Sequence, residues 1–191
     1  MKSIAANALT AVALAALPLV AACSEGAEAD AETLSQTRDE STQSLGGALG
    51  AMNDVSTLRN ALTETELAGI LDGPASYTVL APNDAAFEKL GEASADLSEE
   101  EQKPILLAIV RDHLLPGHLT PETIRSAIEA QGGSVSMTTL GEGDVTFAME
   151  GDNLTVSLGD GAQARIIGEP VASNNGVIIP LDTVLVPSEN G

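Results

Sequence analysis

The spacing of apolar residues changes at Gly132-Gly133. Before that point they recur mostly every three or four residues, the interval that gathers side chains on one face of a helix. After it they recur every second residue, the interval of a strand. One early stretch breaks the rule: Tyr77, Val79 and Ala81 alternate with Thr78 and Leu80, and Pro82 ends the run. Helices first, strands later and one early strand make an α+β plan, with short N-terminal helices packed on a mainly antiparallel sheet. The early strand must then find partners far away in the chain.

The helical half carries start and stop signals. Asp54 is placed to cap a helix bearing Val55, Leu58, Ala61 and Leu62. Thr63 and Glu66 have the spacing of a capping box, with Leu62 and Leu67 as its staple, which predicts a second short helix to about Leu71. Asn83 or Asp84 can cap a turn that buries Ala86, Phe87 and Leu90. Ser98 and Glu101 suggest another start, but Pro104 is uncomfortable inside that helix and predicts a kink or restart. Ile105, Ile109 and His113 define an apolar face broadened by Leu106 and Val110. Thr120 caps a helix with Pro121 at its first position, and Gly132-Gly133 ends it.

In the strand half, Val135/Met137, Val145/Phe147/Met149 and Leu154/Val156/Leu158 alternate between Gly-Asp turns, as in an antiparallel meander. Ala164, Ile166 and Ile167 suggest a further strand. Val177, Ile179 and Leu181 follow Asn174-Asn175-Gly176, a turn in which Gly176 is expected at positive φ, and Val184 to Val186 are expected to close the sheet. Pro180 lacks a backbone donor, so it must sit at an edge, a bulge or a non-bonded site.

The start of the chain reads differently. Lys2 precedes an apolar run from Ile4 to Val20, and Val20-Ala21-Ala22 leads into Cys23, the only cysteine. This resembles a bacterial lipoprotein signal peptide, implying cleavage after residue 22, lipidation at Cys23 and a mature protein outside the cytoplasm. Ser24 in the next position, by resemblance to Gram-negative lipoproteins, points to the outer membrane, with the protein periplasmic or surface-exposed. A lone cysteine cannot form an internal disulfide. Residues 23–44 are polar and acidic, the composition of a flexible tether, although the part from about Leu34 has the alternative of a short helix packed on the domain. Residues 45–188 form the expected domain. The full chain carries a formal charge of −20, and cleavage removes only the positive Lys2. Such a surface has nothing with which to neutralise phosphates, which argues against nucleic acid.

Three ordered segments resemble the fasciclin domain. Tyr77-Thr78-Val79-Leu80-Ala81-Pro82-Asn83-Asp84-Ala85-Ala86-Phe87 is similar to the family's "TVFAP" strand and small helix. His113-Leu114-Leu115-Pro116-Gly117 is similar to its central "YHVVPG" element. Asn174-Asn175-Gly176-Val177-Ile178-Ile179-Pro180-Leu181-Asp182-Thr183-Val184-Leu185-Val186-Pro187 is similar to its closing "NGVIHVIDxVLLP" element. Asp112 stands where the family commonly has tyrosine, Leu80 replaces the usual phenylalanine and Pro180 the usual histidine. The resemblance implies a wedge of helices on a sheet and a role in surface contacts, with Asp112, His113, Pro116 and Gly117 as the positions of the central motif.

Few residues suggest chemistry. His113 continues an apolar face, so a buried histidine bonded to backbone competes with an adhesive contact or a catalytic base. His118 follows shortly, but two histidines without a third placed ligand make a poor metal site. The pair Asn83-Asp84 is explained by capping, Asn174-Asn175-Gly176 by a turn, and Glu99-Glu100-Glu101 by a helix dipole. The Gly-Asp turns lack the ligand spacing of a calcium loop. No cofactor, metal or catalytic residue is expected. The leading reading is a non-enzymatic, membrane-tethered module contacting an envelope or matrix protein or polysaccharide. The alternatives are a carrier of a carotenoid or lipid, its groove lined by Met137 and Met149, and a purely structural envelope protein.

Overall fold

The computed structural model describes residues 37–40, 42–91, 97, 99–141 and 143–187. Its helices are α1 (Leu45–Ala51), α2 (Ser56–Glu64), α3 (Asp84–Glu88), α4 (Lys103–Asp112) and α5 (Pro121–Gln131). Its strands are β1 (Arg38–Glu40), β2 (Tyr77–Pro82), β3 (Leu114–Pro116), β4 (Val135–Thr138), β5 (Asp144–Glu150), β6 (Asn153–Leu158), β7 (Gln163–Arg165), β8 (Val171–Ser173) and β9 (Gly176–Leu181). They form two sheets, one in the order β1-β8-β9-β2-β3 and one in the order β4-β5-β6-β7.

The antiparallel meander is the second sheet, with Val135 opposite Phe147 and Phe147 opposite Val156. The first sheet is mixed. Its centre is the parallel pair of β2 and β9, from Tyr77 opposite Gly176 to Pro82 opposite Leu181. These are the early strand and the last one. Both are apolar almost throughout because both faces are covered. Val79, Ala81 and Ile178 join a core with α1 to α4, whereas Leu80, Val177 and Ile179 join a second core with α5 and the meander.

Several local expectations give way to tertiary structure. The Thr63–Glu66 pair does not start a helix. Thr63 lies in the last turn of α2, where its Oγ1 donates back to Arg59 O (2.9 Å), and Glu66, just beyond that helix, has φ 62°. That left-handed residue ends α2, with Leu67 N–H reaching Leu62 O (2.9 Å), and only a 3-10 turn over Ala68–Asp72 follows. Asp54 does not cap α2 through its side chain; Asp84 supplies that cap from another helix. Ile105 is 52% exposed, so the buried face of α4 is Leu106, Ile109 and Val110 and continues into His113. Pro104 lies in the first turn of α4, which restarts after a 3-10 turn over Glu100–Gln102. Ser98 lies outside the described residues. Val184 to Val186 form no strand: this segment crosses the end of α4, with Leu185 N–H held by a side chain and Ala162 N–H reaching Val186 O (3.4 Å).

Part of the expected tether belongs to the first sheet. Arg38–Glu40 runs parallel to β8, with Arg38 opposite Val171, and is a strand, not the helix considered for this region. Thr37 Oγ1 also reaches both carboxylate oxygens of Glu122 on α5 (3.3 and 3.1 Å). Pro180 sits beyond the last β8 pair, Val171 opposite Ile178, so its missing donor costs no ladder bond there. Its carbonyl still accepts from Ile167 N–H (3.0 Å).

The Asn174-Asn175-Gly176 turn is a packing device. Gly176 is not at positive φ. It is glycine because a Cβ there would collide with the carbonyl of Tyr77 and with Leu45 Cδ1. The buried Asn175 side chain accepts from Leu45 N–H (2.8 Å) and donates to the carbonyls of Leu71 (2.8 Å) and Gly73 (3.0 Å). It thus caps α1 and fixes the 3-10 turn before β2. Two substitutions test this. Gly176→Ala should lower unfolding stability by about 3 kcal/mol, the upper range for overpacking. Asn175→Asp keeps the acceptor but removes the donor to two carbonyls, and should cost about 2–3 kcal/mol in urea unfolding.

Candidate functional site

The central motif starts at the C-terminal end of α4 and continues into β3. The reason is local: His113 terminates the helix, and its N–H reaches back to Val110 O (3.1 Å). Its ring is 1% exposed and both nitrogens are engaged. Leu185 N–H donates to Nε2 (3.0 Å), so Nε2 must be unprotonated. Nδ1 then carries the proton and donates to Ile109 O (2.7 Å). The ring is a neutral strut between α4 and the chain after β9, and it offers no free lone pair to a substrate. Burial pushes its pKa below the usual 6.5, against smaller opposing effects of the Ile109 bond and the neighbouring Asp112.

Asp112 points elsewhere. It is 7% exposed, and its Oδ1 accepts from Thr139 Oγ1 (2.8 Å) in the connection between β4 and β5. Pro116 is exposed at the end of β3, opposite Tyr77 at the start of β2. Gly117 follows at φ 99°, a conformation that favours glycine. This corner is held from beneath. Gly117 N–H donates to Ser76 O (2.9 Å), and the buried Thr78 hydroxyl donates to Gly117 O (2.8 Å) while accepting from Leu119 N–H (2.9 Å). The motif therefore contributes one internal strut, His113, a second buried polar residue, Asp112, and one accessible corner, Pro116-Gly117.

Asn83-Asp84 divides its labour. Asn83 Oδ1 caps α3 through Ala86 N–H (2.8 Å). Asp84 caps α2 instead, accepting from Thr57 N–H (2.8 Å), Ser56 N–H (3.3 Å) and Ser56 Oγ (2.8 Å). Burial alone would raise its pKa, but the bonds from Thr57 and Ser56 outweigh this and hold the carboxyl below its usual value. Glu122 behaves alike: burial raises its pKa, and bonds from Thr120, its own backbone and Thr37, with Arg125, bring it lower. Asn175 and Asp84 are the residues whose importance the sequence understated. The signal for both was their place in motifs, not their chemistry.

No three acidic, histidine or cysteine side chains converge on a metal geometry among the described residues. Met137 and Met149 pack against the core between the two sheets. No described helix is long and apolar enough to cross a membrane. Cys23 lies outside the described residues.

Comparison with known proteins fits this arrangement. The fasciclin domain family matches residues 53–187. A Synechocystis protein, sll1483, is 28% identical over 96% of this chain and 95% of its own length. The cell surface glycolipoprotein MPB83 of Mycobacterium bovis is 30% identical over 70% of this chain and 56% of its own. Pig transforming growth factor-beta-induced protein ig-h3 is 30% identical over 69% of this chain, which spans 17% of that protein. Among solved structures, a FAS1 domain pair from the insect cell adhesion molecule Fasciclin I superposes with a TM-score of 0.67 at 16% identity, covering 77% of this chain and 52% of that one.

The state of His113 has a measurable consequence. Its pKa is lowered in the folded protein, so the unfolded chain binds the proton first. This contribution to stability is complete above the unfolded value of 6.5 and declines as pH falls below it. Asp84 and Glu122 act in the opposite region, losing their contribution only as pH falls through values below 3.8 and 4.5. Urea unfolding between pH 7.5 and 5 should show stability falling below about pH 6.5, by at most ~1.4 kcal/mol per pH unit. In His113→Gln that part of the slope should vanish, whatever the variant's absolute stability.

Proposed function

The chain belongs to the fasciclin domain family, and we propose that it is an extracytoplasmic contact module, anchored by lipid at Cys23 and engaging a protein or polysaccharide of the envelope or matrix. The observation that carries this reading is the state of the central motif. Both nitrogens of His113 are spent on backbone groups, which suits a rigid display scaffold better than an acid–base site. The same strut braces the chain between Asp112 and the exposed Pro116-Gly117 corner. A docking surface gains affinity when its parts are held before the partner arrives.

Relatives support the class. MPB83 is a cell surface glycolipoprotein and Fasciclin I an insect cell adhesion molecule. The N-terminal sequence supports the anchor: a basic start, an apolar core and small residues before the single cysteine. With Ser24 next, the outer membrane is the favoured destination. The chain from Cys23 to β1 is then the spacer between lipid and domain. The packing of Met137 and Met149 against the inter-sheet core gives no specific support to a carrier role.

Crosslinking in the native envelope, followed by mass spectrometry, tests the reading. A partner should be captured by the full protein and lost when residues 45–188 are deleted with the leader and tether retained. A bare monomer under all crosslinking conditions would count against a contact role. For the anchor, Cys23→Ala should abolish incorporation of labelled fatty acid and release the protein from the membrane fraction. Unchanged labelling in that variant would remove lipidation from the account.

A further inference from the structure

One groove adjoins the central motif at Asp112. It has a volume of about 340 Å³ and lies where the end of α4 meets the turns before β5 and after β6. Asp112, Asp144 and Asp160 line it, with Leu158 and Pro187 as its apolar wall. No basic side chain lines it among the described residues. Asp144 Oδ1 accepts from Thr138 Oγ1 (2.8 Å), and Asp160 is exposed at the rim.

Asp112 is the buried member of the three carboxylates, Asp144 and Asp160 being exposed. The residue is more than nine-tenths buried, yet only Oδ1 has a hydrogen-bond partner among the described residues. Among the described residues no fully buried side-chain oxygen lacks a partner, so the unpartnered Oδ2 reaches solvent, and Asp112 lines the groove. The surroundings make room for this carboxylate. A Cβ on Gly141 would collide with Asp112 Oδ1, and one on Gly143 would lie 2.9 Å from it. Asp112 thus places a carboxylate at the base of the cleft.

We propose that this groove binds an arginine side chain of a protein partner, with Asp112 Oδ2 receiving the guanidinium and Leu158 and Pro187 flanking its aliphatic stem. The proposal rests on the contact-module reading and specifies the partner's chemistry. Charge complementarity selects a cation. The described carboxylates do not converge as a metal cage, whereas a planar guanidinium can satisfy one inward oxygen and still face rim carboxylates. The apolar wall covers the stem, as arginine stems commonly lie along apolar surface.

The test uses the full lipidated protein in nanodiscs, titrated at 150 mM NaCl with a tetra-arginine peptide and with tetra-citrulline, its uncharged isostere. The arginine peptide should bind and the citrulline peptide should not. Asp112→Asn, which retains the acceptor for Thr139, should weaken binding about tenfold. Asp152→Asn makes the same charge change in the turn between β5 and β6, at the other end of those strands, and should alter binding less than about twofold. Equal effects of the two variants, equal binding of citrulline, or calorimetric binding of Ca²⁺ that displaces the peptide would each overturn the proposal. If Asp112→Asn fails to fold, the exposed Asp160→Asn replaces it, with a loss of about threefold expected and no loss overturning the proposal. An envelope partner still captured by the Asp112→Asn protein would remove the groove as its site and leave the contact-module reading standing. Loss of every partner in the wild-type experiment would remove that reading instead.

Discussion

The parallel pairing of β2 with β9 is the contact on which the rest of the structure depends. It joins the early strand to the last one, and each contributes side chains to both cores. The helices need its one face and the meander needs the other. Forming it requires a long loop to close before either core is complete, which places the cost of ordering early. Asn175 and Gly176 stand at the point where the pairing begins. The glycine lets the Tyr77 carbonyl approach, and the asparagine ties α1 and the 3-10 turn to the same spot. A small set of polar bonds thus adds to the register that burial of both strand faces already specifies.

Polar side chains serve elsewhere as joints between elements distant in sequence. Asp84 caps α2 from the start of α3, Thr78 supports the Gly117 corner, and His113 links α4 to Leu185. In each case a buried or half-buried group satisfies backbone atoms that helix ends and turns leave open. The same economy explains why the central motif has so little free chemistry. Its histidine is consumed as a joint, and what remains accessible is a proline-glycine corner and one carboxylate oxygen. Binding surfaces are built from such fixed, exposed points, whereas acid–base catalysis needs a titrating group within reach of a substrate.

The distribution of charge fits a displayed domain. Every acidic residue of the chain follows Ser24, and three of them, Asp112, Asp144 and Asp160, line one concave place. Elsewhere at the surface Arg38 approaches Glu40 (3.3 Å) and Glu169 (3.8 Å). Those exposed pairs add little to stability, but the acidic excess sets the sign of partner that the surface attracts.

The sequence by itself determined the fold class, the meander and the α5 boundaries, because each rests on neighbours within a few residues. Thr120 and Pro121 open α5 and Gly132 closes it at φ 71°, as local propensity demands. The ordered motifs around Thr78, His113 and Gly176 also sufficed to show the family resemblance. What local pattern could not contain was decided by tertiary structure. Thr63 and Glu66 spell a helix start, yet the chain must turn there toward β2, and a left-handed Glu66 ends the helix instead. Asp54 stands beside α2, yet the cap comes from Asp84 because folding brings the small helix against that end. Arg38–Glu40 has the composition of a spacer and becomes a strand only because β8 presents a free edge. The site divides the same way: the sequence picked out Asp112, His113, Pro116 and Gly117, but only burial and hydrogen bonding separate the buried Asp112 and His113 from the exposed Pro116 corner. Solvent exposure and long-range partners are properties of the packed molecule, and no residue's immediate neighbours carry them.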